Sequence, residues 1–157
     1  KRRHSRQDAI SLCHALREAR PDIIFGADFI VGFPTETEAM FDATLDIVDA
    51  CGLTHLHVFP FSARPGTPAA RMPQLAPQIA KERAARLREK GDAALRRHFD
   101  AQSGRTLRLL TERGGTARAA DFTLAHTPGV EAGLMIEALC TGHDGRALTT
   151  RLTALGR

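Results

Sequence analysis

Apolar positions change their period several times along the chain, and each change predicts a new element. Ser5 and Asp8 stand at capping-box spacing, with Asp in place of the usual Glu. Ala9, Leu12, Cys13 and Leu16 then recur at helical spacing, and Pro21 ends the helix. Ile23 to Phe33 is mostly apolar and rich in Ile and Val, which predicts a strand buried on both faces, of the parallel kind. Thr35 and Thr37 are candidate N-caps for a helix with Phe41, Leu45 and Val48 on its inner side and Gly52 as its stop. Leu53 to Phe61 is the next strand. Helix, strand, helix and strand with short joins spell a βαβ unit of a parallel sheet.

A loop rich in Pro and Gly follows at Ser62–Pro68. From Pro77 to about Gln102 the spacing predicts one long charged helix with a thin stripe of Ala80, Ala84, Leu87, Ala94 and Leu95, weakened in its middle by Gly91. Ser103-Gly104 marks a boundary, dividing the chain into residues 1–102 and 103–157. Beyond it Thr106–Glu112 alternates, Gly114-Gly115 turns, and Asp121–Ala125 and Leu134–Cys140 are short strands. Asp144-Gly145 is a hairpin turn before a strand at Arg146–Thr150. Strands at this spacing predict a small antiparallel, OB-like β-barrel. The fold class is therefore α/β followed by a small β-barrel. Two strands of a buried parallel sheet leave open faces and edges, and a complete β/α barrel needs roughly 250 residues. Residues 1–102 are accordingly expected to be part of a larger barrel.

Hydrophobic residues make up 43% of the chain, enough for a packed core. No apolar run is long enough to cross a bilayer, and no apolar signal core follows the basic opening Lys1-Arg2-Arg3-His4, so a cytoplasmic protein without a membrane partner is expected. The net charge of +4 is uneven: residues 81–120 carry +6, and the segments on either side carry −1 each. Such a band suits either a polyanion or a solvated helix face. Cys13, Cys51 and Cys140 are far apart and odd in number, which reads as reduced thiols rather than a disulfide framework or metal site.

Two segments can carry chemistry. In Asp28-Phe29-Ile30-Val31-Gly32-Phe33-Pro34-Thr35-Glu36-Thr37 a buried strand runs into a turn and a helix. Ligands of parallel α/β proteins bind at such strand ends. Gly32 would let a ligand near the backbone, Pro34 stiffens the turn, and Glu36 can accept hydrogen bonds from a ribose or an amine. The alternative is an ordinary capping turn. In Phe59–Pro68 one arginine, Arg64, sits in a proline-stiffened loop beside Ser62 and Thr67, which suits gripping a carboxylate or phosphate; the alternative is a rigid connector whose arginine points to solvent. His55 and His57 share one strand face and lack a further ligand nearby, so they are expected as hydrogen-bonded barrel-interior residues. P-loop, nucleophile-elbow and dinucleotide glycine patterns are absent from the sequence.

Taken together, Gly-Phe-Pro-x-Glu-Thr after one strand and Ser-x-Arg-Pro-Gly-Thr-Pro-Ala-Ala after the next resemble the methylthiotransferase branch of the radical-SAM family. The opening Lys1–Ser5 and the closing stretch from Gly104 through Thr141–Arg146, which resembles the RNA-binding TRAM barrel, extend the likeness to nearly the whole chain. Leu53–Phe61 followed by Ala70–Gln74 is most similar to the MtaB type, which methylthiolates C2 of N6-threonylcarbamoyladenosine beside the tRNA anticodon. The MiaB type, acting on isopentenyladenosine, is the alternative; Arg64 argues against the RimO type, which acts on a ribosomal protein. Thr35, Phe61 and Ala63 depart from the commoner Gly, Tyr and Pro.

The resemblance implies the C-terminal part of a partial TIM-like radical-SAM barrel followed by a TRAM domain. It implies S-adenosylmethionine as cofactor and two 4Fe-4S clusters in the full-length enzyme, none held by this stretch because the cluster cysteines belong to an N-terminal part. It implies tRNA as partner. Arg3, Asp28, Gly32, Pro34 and Glu36 would border S-adenosylmethionine, and Ser62, Arg64, Gly66 and Thr67 that site or the substrate base. Arg105, Arg108, Arg113, Arg118 and Arg146 would meet RNA phosphates, with Phe122 as a stacking face. A non-catalytic RNA-binding module and an unrelated α/β scaffold remain the rival readings.

Overall fold

A computed structural model of the chain describes residues 3–155; Lys1 and Arg2 of the basic opening lie outside them. Two compact units divide at Ala94 and Leu95. The first holds α1 (Arg6–Ala19), β1 (Phe25–Val31), α2 (Glu38–Cys51), β2 (Leu53–Pro60), a 3-10 turn (Pro68–Arg71) and the greater part of α3 (Pro77–Gln102). The second holds the last turns of α3 with β3 (Thr106–Glu112), β4 (Thr116–Ala119), β5 (Leu124–His126), β6 (Met135–His143) and β7 (Leu148–Leu155).

In the first unit β1 and β2 pair in parallel, Asp28 opposite His57 and Ile30 opposite Phe59. The capping box at Ser5 and Asp8 forms as the sequence predicts, and Ser5 N–H holds the Asp8 carboxyl below its usual range. Thr37, not Thr35, caps α2, its hydroxyl accepting from Met40 N at 3.2 Å, and Gly52 ends α2 with φ +59°. Val31, Phe41, Val48, Leu53, Val58, Ala84 and Leu87 form the core of this unit.

Two expectations need correction. β1 is not buried on both faces: its burial alternates, with Ile30 63% exposed. Phe25, Ala27, Phe29 and Val31 pack inward, and the face with Gly26, Asp28 and Ile30 is open among the described residues. On α1 the buried position is Ile10, and Leu12 and Leu16 are exposed because α2 meets the helix along another face. Gly91 lies inside α3, which runs unbroken past it. A Cβ there would lie 2.9 Å from Leu56, so the glycine lets β2 approach the helix.

The second unit is a closed five-stranded barrel in the order β3-β4-β5-β7-β6. Leu109, Ala117, Ala125, Ile136, Ala138, Cys140, Leu148 and Phe99 of α3 fill it. Alanines at three of these positions suit so narrow a barrel. It is not wholly antiparallel, since β5 pairs with β7 in parallel. The strand expected at Asp121–Ala125 is shifted to Leu124–His126: Ala120 and Asp121 form a turn, and β4, not anticipated from the sequence, precedes it.

The turn at Phe33–Glu36 closes by Glu36 N–H to Phe33 O at 2.9 Å, with Pro34 second and Thr35 third at φ +85°. Such turns call for glycine at the third position. A β-branched residue there is strained by roughly 1–3 kcal/mol. We expect Thr35→Gly to stabilise the chain by about 1 kcal/mol after the added flexibility of the unfolded state is subtracted. Thermal unfolding tests this; an unchanged or lowered Tm would mean the turn holds no strain.

Candidate functional site

The two strand-end loops leave the same end of the parallel pair. Phe61 N–H donates to Val31 O at 2.8 Å, and the Phe33 and Phe61 rings meet edge to face at 5.1 Å. Parallel pairing alone requires this, because both chains then emerge at the carboxyl ends of their strands. On the open sheet face beneath lie Ile30 and Phe59, with Asp28 opposite His57. His57 is exposed and His55 half-buried on that face. Ile30, Phe59, Pro60, Phe61, Ser62, Arg64, Thr67 and Ala69 line a cavity of about 570 Å³. It has apolar walls and one arginine at its rim.

Within this loop pair Thr67 is committed to structure. Its hydroxyl donates to Arg64 O at 2.8 Å and accepts from Ala70 N at 3.3 Å, capping the 3-10 turn. Gly66 has φ +84° and open space around it. Ser62 and Arg64 are exposed, and Arg64 makes no ion pair with any described residue, so its guanidinium is available to a ligand.

A second cavity, about 490 Å³, lies along β1 between α1 and α2 and is lined in part by His4, Ser5, Arg6, Asp28 and Ile30. Because α1 runs antiparallel to β1, its N-terminal end comes back to the carboxyl end of that strand. The fold thus brings Asp28 to the segment that follows Arg3, itself exposed.

Gly32, Pro34 and Glu36 line neither of these cavities and are held by contacts within the fold. Gly32, at φ +76°, is buried against α3: a Cβ there would lie 2.5 Å from the Ala80 Cβ. Its N–H donates to Glu36 Oε2 at 2.7 Å. The same oxygen accepts from Arg83 Nη1 at 2.7 Å, and Arg83 Nη1 also reaches Glu36 O at 2.9 Å. Pro34 is fully buried. Arg83 Nη2 extends to Glu38 at 3.1 Å, and its guanidinium lies over the Phe41 ring at 5.5 Å. Arg83 is the residue that sequence reasoning missed. A signal existed: position 83 falls on the stripe of Ala80, Ala84 and Leu87, where a charge needs a buried partner.

On the barrel, β3 and β4 bring Arg108 and Arg118 to one outer face, Arg118 opposite Leu110. Arg118 contacts Glu112 at 3.4 Å, and Glu137 stands opposite Arg108, so acidic groups temper this face. Phe122, at φ +65° and 78% exposed, ends the turn after β4, and Arg118 Nη1 donates to its carbonyl at 3.1 Å. Its neighbour Asp121 is opposed by burial but held well below the usual carboxylate range by His98 and by Thr123 N–H. Arg105 precedes β3 and bonds Gln102 at 3.1 Å, Arg113 lies in the β3–β4 turn, and Arg146 in the β6–β7 turn. Arg108, Arg118 and Phe122 are therefore neighbours, and Arg113 and Arg146 are not part of that group.

Among the described residues no three His, Cys, Asp or Glu side chains are grouped to hold a metal. Cys51 and Cys140 are buried in different units, so the thiols present do not fit an iron–sulfur cluster. No described helix is long and apolar enough to cross a membrane.

Arg83 and Arg86 offer a comparison. Removing one partner of a buried pair strands the other, at roughly 3–5 kcal/mol, whereas an exposed pair contributes under about 1 kcal/mol. The Arg83 side chain is 7% exposed and that of Arg86 47%. Arg83→Met is expected to cost about 3 kcal/mol and Arg86→Met under about 1 kcal/mol by urea unfolding. Equal losses would remove the special role of the buried pair.

No family model matches the chain. The threonylcarbamoyladenosine tRNA methylthiotransferase MtaB of Rickettsia prowazekii is 48% identical over 122 residues, 78% of this chain and 29% of the relative. The tRNA-2-methylthio-N(6)-dimethylallyladenosine synthase of Cereibacter sphaeroides is 43% identical over 114 residues, 73% of this chain and 26% of the relative. That of Ruegeria pomeroyi is 38% identical over 163 residues, covering 96% of this chain and 36% of the relative. The chain spans about a quarter to a third of the length of these curated relatives. Identity at this level over most of the chain, joined to two loop motifs on neighbouring strand ends, makes the chain a member, along this stretch, of the MtaB-like radical-SAM tRNA methylthiotransferase family.

Proposed function

We propose that the chain is the later part of an enzyme that methylthiolates C2 of N6-threonylcarbamoyladenosine in tRNA. In this reading β1 and β2 belong to a partial β/α barrel whose interior is the open face with Asp28, Ile30, His57 and Phe59. The observation that carries it is the pair of loops side by side at the carboxyl end of a parallel sheet, above that face. Identity of 48% to the MtaB relative, against 43% and 38% to the two dimethylallyladenosine synthases, supports threonylcarbamoyladenosine as the base.

S-adenosylmethionine and the clusters of the remaining enzyme supply the radical chemistry when bound. This chain's own residues position the reactants. Asp28 and the segment from Arg3 face the cofactor, where a carboxylate accepts from a ribose or an amine. Glu36 acts indirectly, by fixing the loop with Arg83. Ser62 and Arg64 face the substrate, and a guanidinium there reads an anionic group, a phosphate or the threonyl carboxylate. Ile30, Phe59 and Phe61 keep water from the base. Thr67 and Gly66 shape the loop that presents Arg64.

A charge-assisted contact of Arg64 would contribute roughly 1.5–3 kcal/mol. In the full-length enzyme Arg64→Ala is expected to reduce turnover about ten- to hundredfold, that energy expressed as a rate, with Tm unchanged. Unchanged activity would return Arg64 to solvent.

The barrel is proposed to bind tRNA through phosphates at Arg105, Arg108 and Arg118, with Phe122 stacking on an unpaired base and Arg113 and Arg146 as outlying contacts. With about three phosphate contacts, log affinity should fall with log salt at a slope of about −2 to −3. Arg108→Glu should weaken binding, and Phe122→Ala should weaken it without changing the slope. Affinity independent of salt would remove the nucleic-acid role from the barrel.

A further inference from the structure

Cys13 and Cys51 take no part in the proposed function, yet the fold brings them together. They lie on different helices, and the contact between those helices is fixed beside them. His14 Nε2 donates to Ala50 O at 3.2 Å, and Arg17 Nη2 donates to Cys51 O at 2.9 Å. Each cysteine is thus next to, or itself part of, a bonded α1–α2 contact. Both line the cavity of about 490 Å³ along β1, beside Ala9 and Ile47, and both belong to one apolar cluster. Cys51 is 3% exposed and Cys13 half-buried. Burial pushes the Cys51 thiol up, and the neighbouring Cys13 thiol adds to that, which two distant sulfurs would not do. Cys140 lies in the other unit, its thiol donating to Gly142 O at 3.4 Å.

We propose that Cys13 and Cys51 form a redox-sensitive dithiol that hydrogen peroxide converts to a disulfide linking α1 to the end of α2. The division of labour follows from exposure. Cys13 opens to the cavity and meets the oxidant; Cys51, buried beside it, resolves, losing its proton as it attacks. The Cys13 sulfur attacks one peroxide oxygen, the O–O bond breaks, and Cys13 sulfenic acid and one water result. The Cys51 sulfur then attacks the Cys13 sulfur, the S–O bond breaks, and the departing hydroxide takes the Cys51 proton as the second water. The two thiols lose two electrons and peroxide gains two. In the disulfide form α1 and α2 cannot separate.

The test uses the reduced 157-residue chain. It is treated with a small excess of hydrogen peroxide, quenched with catalase, unfolded in N-ethylmaleimide and mapped by mass spectrometry. The expected product is a peptide pair joined through Cys13 and Cys51 and released by dithiothreitol, with Cys140 alkylated. The oxidised chain should melt higher than the reduced one. Cys51→Ala should stop at a Cys13 sulfenic acid that dimedone traps, and Cys13→Ser should leave Cys51 alkylated. Cys13 passing to sulfinic acid in the unaltered chain without a link, or links formed mainly through Cys140, would overturn the proposal.

Discussion

The loop after β1 rests on one buried guanidinium. Arg83 reaches Glu36 through both its carboxylate and its carbonyl, and the same carboxylate oxygen receives the Gly32 N–H. A charge this deeply buried is tolerated only when paired and hydrogen-bonded, so α3 and the loop can meet in one way only. Gly32 reinforces this, since any side chain would strike Ala80. The Gly-Phe-Pro turn is thereby held at the strand end, and Phe33 is carried to Phe61 on the neighbouring loop. The motif that resembles a ligand loop is, in its backbone, a packing device that sets the position of the exposed side chains around it.

The basic band takes on a meaning that net charge alone did not disclose. Arg83, Arg86 and Lys90 pair with Glu36, Glu38, Asp42 and Asp49, and Arg88 donates to Val58 O on β2 at 2.8 Å. Glu38 is held below its usual range by Arg86 and then Arg83. The acidic groups of α2 thus account for much of the positive charge of the first half of α3. On the barrel Arg108 and Arg118 share one outer face, and Arg118 donates to the carbonyl of the exposed Phe122. Phe122 is a large aromatic held in the left-handed region and turned to solvent, a strained conformation for a bulky residue. That makes it the barrel's clearest candidate contact.

Much of the architecture was legible along the chain. The capping box at Ser5, the stop at Gly52, the long helix from Pro77 to Gln102 and the alternation in Thr106–Glu112 all appear where local pattern puts them. These features depend on neighbours within one or two turns, so local sequence suffices to specify them. The paired loops were legible too, because short joins between parallel strands force both to one end. β4 escaped because Thr116–Ala119 is short, carries no apolar alternation beyond two alanines, and owes its strand conformation to partners β3 and β5.

What the sequence by itself determined is the order and kind of elements, the family they resemble, and the side chains placed at strand ends. Tertiary structure alone decided which neighbours those side chains meet. Nothing around Gly32 in sequence says which surface it would meet, and the approach of Ala80 fixed it. Glu36 carries no local sign of Arg83, forty-seven residues away, whose guanidinium reaches its oxygen. Cys13 and Cys51 read as isolated thiols until α1 and α2 packed. The physical reason is common to all three. Burial and pairing are properties of surfaces brought together by folding, and residues distant in sequence carry no local sign of which neighbour they will meet.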